Sequence, residues 1–314
     1  MKAAILLFLK GLAMGAADIV PGVSGGTIAF ITGIYERLLG AISQAPKAGW
    51  CLVQGQFAKA WRTLDGNFLL VLFAGIVTSV FSLAGLIHWL LQQHGLLLWA
   101  FFFGLIVASC WLVAKQVQRW RWPQLLFLVL GIGLAAYISL AANISWGSGL
   151  LAVFFAGAIA ICAMILPGIS GSFLLVLMGM YDSIISAVKS LDVVTLGVFA
   201  LGCLSGILLF AHALKFTMQH YREVTLSFLL GIMLGSLLKV WPWKETLEWQ
   251  LNRHGEQVPL QQVPVSPWQY EALTQLDAQL VGALLLAVLS VLLVLGLEYW
   301  SSRLAGSATA SAVR

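Results

Sequence analysis

One helix-breaking phrase is written twice in this chain. VPGVSGGTIAFITGIYE runs from Val20 to Glu36, and LPGISGSFLLVLMGMYD runs from Leu166 to Asp182, 146 residues later. Proline lacks a backbone N–H and its ring blocks the preceding turn, so a helix stops at Pro21 and at Pro167. The glycines that follow allow positive φ and close backbone approach. Both copies nevertheless sit inside long apolar runs, Ala3–Gln44 and Gly149–Val188.

Composition says where such breaks must live. Of 314 residues, 61% are hydrophobic and 9% charged, against about 25% charged in soluble domains. No water-soluble core hides that excess, so the chain is read as an integral membrane protein. Its formal charge of +5 is scattered over short loops, which fits anionic lipid rather than nucleic acid. Cys51, Cys110, Cys162 and Cys203 are isolated packing residues, and no metal or cofactor motif is present. At the N-terminus Lys10 interrupts the apolar run, so this stretch reads as a first helical arm rather than a cleaved signal.

Stretches of about 20 apolar residues, enough to span, are Phe68–Leu91, Leu96–Ala114, Pro123–Ala141, Val193–Phe216, Val224–Val240 and Leu280–Tyr299. If both broken stretches turn back to the side they entered, 13 of the 17 Lys and Arg share one side. That side, holding both termini, is then cytoplasmic. Each arm after a break, 15 residues to Glu36 or Asp182, is expected to climb as one helix of about 22 Å. Trp50, Val53, Phe57, Trp61 and Leu64 predict an in-plane interfacial helix or an amphipathic connector. The polar segment Trp241–Asp277, with four prolines, predicts an external cap or an entry for a lipid substrate.

Ala17–Glu36 and Ala163–Asp182 share seven identities in 20 positions, where roughly one is expected by chance. Gly11 matches Gly157 at the same offset. At an offset of 127, Gly75, Gly104 and Ser109 fall on Gly202, Gly231 and Ser236. The expected fold is an all-α integral membrane protein with two inverted repeats. Each repeat is a re-entrant broken-helix hairpin plus two transmembrane helices. Repeat one covers 1–114 and repeat two 149–240. A linking span lies at 123–141, an external polar loop at 241–277 and an extra span at 280–299. Secondary transporters are often built this way, with the substrate at the midplane.

Irregular backbone is tolerated at that depth only when buried in protein or lining a wet cavity. Helix starts near Gly25 and Gly171 carry free amides and the positive end of the helix dipole. Ser24, Thr27, Ser170 and Ser172 add hydroxyls. The two breaks therefore form either an anion site, phosphate above all, or a device for close helix packing. Asp18 is either a coupling carboxylate for a proton or another cation, or a cap on nearby amides. Lys10 meets a phosphate, pairs with Asp18, or snorkels inward. Glu36, Arg37 and Asp182 are interfacial anchors or gates.

With MGAADIVPGVSGGTIAFITGIYERL and LPGISGSFLLVLMGMYD in view, the chain resembles the bacterial polyprenyl-phosphate transporter family. The resemblance implies a multi-pass protein of the bacterial inner membrane that returns undecaprenyl phosphate to the cytoplasmic leaflet. There the carrier is reused for peptidoglycan and other envelope polymers. Its partners would be that lipid and the surrounding membrane lipids. The family's motif falls on Pro21, Gly22, Val23, Ser24 and Gly25, and again on Pro167, Gly168, Ile169, Ser170 and Gly171. Beyond it, Gly26 and Thr27 become Ser172 and Phe173 in the second copy, and Asp18 becomes Met164. Two rivals remain at this stage. A polyprenyl-diphosphate phosphatase would carry Arg, with His or Glu, beside such phrases, and neither phrase here holds Arg or His. A small-anion channel or exchanger would use broken helices in the same manner.

Overall fold

The computed structural model describes residues 2–20, 23–140, 149–251 and 257–312. The chain is mostly helical: α1 (Lys2–Ile19), α2 (Gly25–Ile31), α3 (Tyr35–Ser43), α4 (Ala45–Val53), α5 (Phe57–Thr63), α6 (Gly66–Gln116), α7 (Trp122–Leu140), α8 (Leu150–Ile165), α9 (Gly171–Leu177), α10 (Tyr181–Ser190), α11 (Val193–His220), α12 (Arg222–Val240), α13 (Pro267–Thr274) and α14 (Leu280–Ala312). Among the described residues, α6, α7, α11 and α12 are long and apolar enough to cross a membrane. The pair α9–α10, bent by 105°, would make a fifth.

A straight helix of 51 residues would be about 76 Å long, yet both ends of α6 reach the same charged cluster. Its N-cap Asp65 pairs with Arg37, while Gln118, just past its C-terminus, donates its amide to Glu223 at 2.8 Å. Glu36 in turn pairs with Arg222 at the start of α12. The helix therefore folds back at His94, where φ is −137° and ψ 36°. Its arms are the expected spans Phe68–Leu91 and Leu96–Ala114. Lys215 reaches the same face, donating to Ser43 Oγ at 3.1 Å. A cleft lined by Ala3, Lys10, Ile34, Arg37 and Asn67 brings the start of α1 there too.

The opposite face is built on tryptophan. Trp241 packs edge-on to Phe103 with centroids 5.3 Å apart, and Trp243 Nε1 donates to Ala278 O at 3.0 Å. Above them lies an antiparallel pair, β1 (Lys244–Leu251) and β2 (Gln257–Pro264), with Lys244 opposite Pro264. The expectation of an all-α membrane protein holds for the chain as a whole, and this hairpin is a local departure from it. The prolines forbid a long helix but suit a two-stranded hairpin, in which every strand is an edge.

Two expectations change. The connector forms two short helices, α4 and α5, because Gly55 at φ +72° turns the chain between them; Trp50, Val53 and Phe57 remain exposed. The arms after the breaks are not single helices either. Gly33 and Gly179 adopt φ of +72° and +66°, and each closes its helix with a paired terminal motif. Gly33 N bonds Phe30 O and Ile34 N bonds Ala29 O; Gly179 N bonds Val176 O and Met180 N bonds Leu175 O. Left-handed glycine at this position ends a helix and redirects the chain.

Close glycine crossings recur at the positions that repeat in the sequence. A side chain at Gly11 would strike the Leu72 carbonyl, and one at Gly75 the carbonyl of Phe8. In the second half, Gly157 faces Phe199 and Gly202 faces Phe154. α1 thus lies on the first arm of α6 as α8 lies on α11. Gly231 of α12 meets Leu128 and Gly131 of α7, while Gly104 of α6 meets Ala287 and Ser290 of α14. The segment expected as a linker therefore packs on the second half, and the extra span packs on the first.

Candidate functional site

The breaks meet. Ser24 Oγ donates to Met164 O and Leu166 O at 3.2 and 3.3 Å. Thr27 Oγ1 accepts the Gly168 amide at 2.9 Å, and Tyr35 OH donates to Ile165 O at 3.1 Å. Ser24 and Thr27 are 1% and 0% exposed, so these bonds are made away from water. Gly26 is required at the joint, since a Cβ there would stand 2.7 Å from Ile165 O. Val23, Pro167 and Ile169 are buried beside it. Pro21 and Gly22 lie outside the described residues.

The first phrase does not offer bare amides. Asp18 Oδ1 accepts the Gly25 amide at 2.6 Å, and Ser24 Oγ accepts that of Gly26 at 3.1 Å. Asp18 thus makes the hydrogen bond that its reading as a cap expects. Its carboxylate fills the place an external anion would need. The second phrase differs because Met164 stands where Asp18 would be. Ser170 makes no capping bond; its hydroxyl lies 2.9 Å from that of Ser172. Gly168 holds φ +90°, a conformation costly for any residue with a side chain.

A small cavity opens on this second phrase. Gly168, Ser170, Phe173, Ser139, Ser236 and Lys239 line it, with room for about one water. Lys239 Nζ stands 3.9 Å from the centroid of Phe173. Close by, Lys244 Nζ stands 3.7 Å from the centroid of Trp99. That nitrogen is sealed from water and has no hydrogen-bond partner among the described residues. Burial holds the Lys244 ammonium well below the ordinary lysine range, and the charge of Lys239 adds to the effect.

The remaining charged candidates do not join this site. Lys10 Nζ donates to Thr32 O at 2.6 Å, satisfying the end of α2. Its hydrogen bond goes to this carbonyl rather than to Asp18. Glu36 and Arg37 form exposed ion pairs with Arg222 and Asp65. Asp182 lies in the first turn of α10. Sequence reasoning passed over Tyr35, Lys239 and Lys244. Tyr35 had left a signal as a repeated identity with Tyr181; the two lysines had left none beyond their charge. Among the described residues no cluster of His, Cys, Asp or Glu is arranged to hold a metal.

Comparison with known proteins agrees with the phrases. Residues 14–258 match the family model described as undecaprenyl phosphate translocase-like. The polyprenyl-phosphate transporter of Vibrio cholerae serotype O1 is 49% identical over 297 residues, 94% of this chain and 96% of that one. The polyprenyl-phosphate transporter of Staphylococcus aureus is 31% identical over 255 residues, 74% of this chain and 85% of that one. Both relatives are transporters rather than enzymes. No solved structure matches. With the broken phrases in contact and the match covering most of its length, the chain belongs to the undecaprenyl phosphate translocase-like family.

Proposed function

We propose that this protein carries polyprenyl phosphate, undecaprenyl phosphate in bacteria, from the outer to the cytoplasmic leaflet of the inner membrane. The single observation that carries the reading is the direct joint between the two broken phrases, Ser24 to Leu166 and Thr27 to Gly168. A phosphate head is costly in hydrocarbon, by several kcal/mol even after relaxation. Hydroxyls, amides and lysine at the meeting of the phrases offset that cost, while the isoprenoid tail stays in lipid.

The hairpins α1–α2–α3 and α8–α9–α10 are proposed to be re-entrant and of opposite orientation. In support, the start of α1 shares a cleft with Arg37 and Asn67, and α3 joins the Arg222 and Lys215 face. α8 runs beside α11 in parallel, from the end remote from His220. The face rich in Lys and Arg is taken as cytoplasmic. The phosphate is held by the second phrase, through Ser170, Gly171 and Ser172. The first phrase, Ser24 to Thr27, serves as the joint that opens when the halves rock. Release of that joint would also free the amides that Asp18 and Ser24 now cap.

The test is reconstitution. Vesicles holding the full chain and a fluorescent short-chain polyprenyl phosphate should show head-group movement between leaflets. Ser170→Ala combined with Ser172→Ala should slow it while leaving the folded yield unchanged. Movement at the wild-type rate in that double variant removes the phosphate from the second phrase. Flux of chloride or inorganic phosphate without head-group movement would establish an anion channel instead. In cells, loss of the protein should strand carrier phosphate on the outer face.

A further inference from the structure

We propose that Lys239 and Lys244 together form the recognition site for the phosphate monoester head of an isoprenoid lipid, at the face carrying the β-hairpin. The assignment rests on the transport reading above and adds the residues that choose the head group.

Charges taken out of water are normally paired or hydrogen-bonded. The two ion pairs among the described residues are exposed and lie at the opposite face. Neither lysine has a carboxylate within ion-pairing distance among the described residues. An ammonium carries three donors, and among the described residues those of Lys244 meet only the ring of Trp99. A ring face returns about 0.5–2 kcal/mol against a desolvation cost of several kcal/mol per ion. Snorkelling does not explain the position, because a snorkelling lysine delivers its charge to water and this one is shut away from it.

Lys239 in the last turn of α12 and Lys244 at the start of β1 stand five residues apart around the same turn of the chain, and the charge of one weighs on the other. One anion between them relieves both penalties at once. A phosphate monoester carries about −1.5 to −2 charges at pH 7, which two lysines balance. Lys239 links this pair to the second phrase, for it lines the same cavity as Ser139, Ser170 and Ser236. Leu134, one turn before Ile138 of the cavity wall, is 42% exposed and begins an apolar flank on which an isoprenoid tail can lie. Swinging Lys239 off Phe173 is the movement that widens the cavity for the head.

The experiment uses the full chain in detergent, with Lys239→Met, Lys244→Met and the double variant. Met keeps the length of the lysine stem and removes the charge; Lys239→Gln is a second choice should Met fail to fold. Calorimetric titration uses farnesyl phosphate, farnesol and inorganic phosphate as probes. Farnesyl phosphate affinity should fall at least tenfold in each single variant, while farnesol binds all proteins alike. Inorganic phosphate should bind the wild type more weakly than farnesyl phosphate. Without ligand, the unfolding midpoint of Lys244→Met should stay level or rise, because an unpaired buried charge has been removed. Equal farnesyl phosphate affinity in the wild type and double variant overturns the assignment. So does loss of farnesol binding together with a lowered ligand-free midpoint, which marks the lysines as packing residues. Inorganic phosphate binding as tightly as farnesyl phosphate overturns the lipid as ligand. The same preparations are assayed in vesicles; head-group movement by the wild type keeps the transport reading even where the lysine assignment fails.

Discussion

Replacing Thr27 by Val is the sharpest probe of the joint between the two halves. The side chains have nearly the same shape, and Thr27 is fully buried, so packing changes little. What disappears is the oxygen that accepts the Gly168 amide at 2.9 Å. Leaving a buried amide without a partner costs about 1–3 kcal/mol, a factor of about 5–150 in any equilibrium that the bond controls. Hydrogen exchange of the segment around Gly168 should quicken by that factor if the joint opens locally. Thermal unfolding in detergent should begin earlier. Because Ser24 and Tyr35 still bridge the halves, the fold should survive. If the joint must part during each cycle, the population of separated halves rises by the same factor, and single-turnover movement of lipid phosphate shifts with it. Unchanged exchange at Gly168, together with an unchanged midpoint, would show that Thr27 does not hold the halves together.

The glycine crossings predict a matched pair. Gly75→Ala and Gly202→Ala each drive a methyl into a carbonyl of the neighbouring helix, costing about 1–3 kcal/mol, whereas Gly133→Ala, which meets nothing within 4 Å, should leave the midpoint level or slightly raised. Arg222→Ala breaks an exposed ion pair worth up to about 1 kcal/mol; a stability loss several times larger would mean the pair is coupled to packing beneath it. Lys244, held below the ordinary lysine range, binds its proton more weakly folded than unfolded, so ligand-free stability should be lowest below the folded value and grow as pH rises toward the ordinary one. Comparing unfolding of the wild type and Lys244→Met across that window isolates the effect, and parallel curves would refute it. Asp18→Leu strips the Gly25 amide of its acceptor and should destabilise the first hairpin more than Asp18→Asn, which keeps an oxygen; equal midpoints would count against the cap.

Much of the architecture was legible because membrane segments obey few rules. The six long apolar runs became helices where they were expected. The two Pro-Gly-x-Ser-Gly phrases marked the helix starts at Gly25 and Gly171. The repeated Gly11 and Gly157 turned out to be the points where backbones touch, since only a residue without Cβ permits it. Other features were hidden. Gly33 and Gly179 were visible as identities, but sequence alone does not say that their φ is positive and that the arm bends there. The strand β2 contains Pro259 and Pro264, residues that from sequence argue only against a helix. Lys239 and Lys244 were legible only as two charges on the sparser side.

The shortage of charge determined by itself that the chain is a multi-pass membrane protein, and the duplicated phrases that helices restart at Gly25 and Gly171, because a proline cannot continue a helix. Tertiary structure decided what those interruptions do. It closed the first on Asp18 and Ser24, opened the second toward Lys239, and pressed the two together through Thr27 and Gly168. The bonds that press the two phrases together join residues 140 to 142 apart, and local sequence carries no record of them.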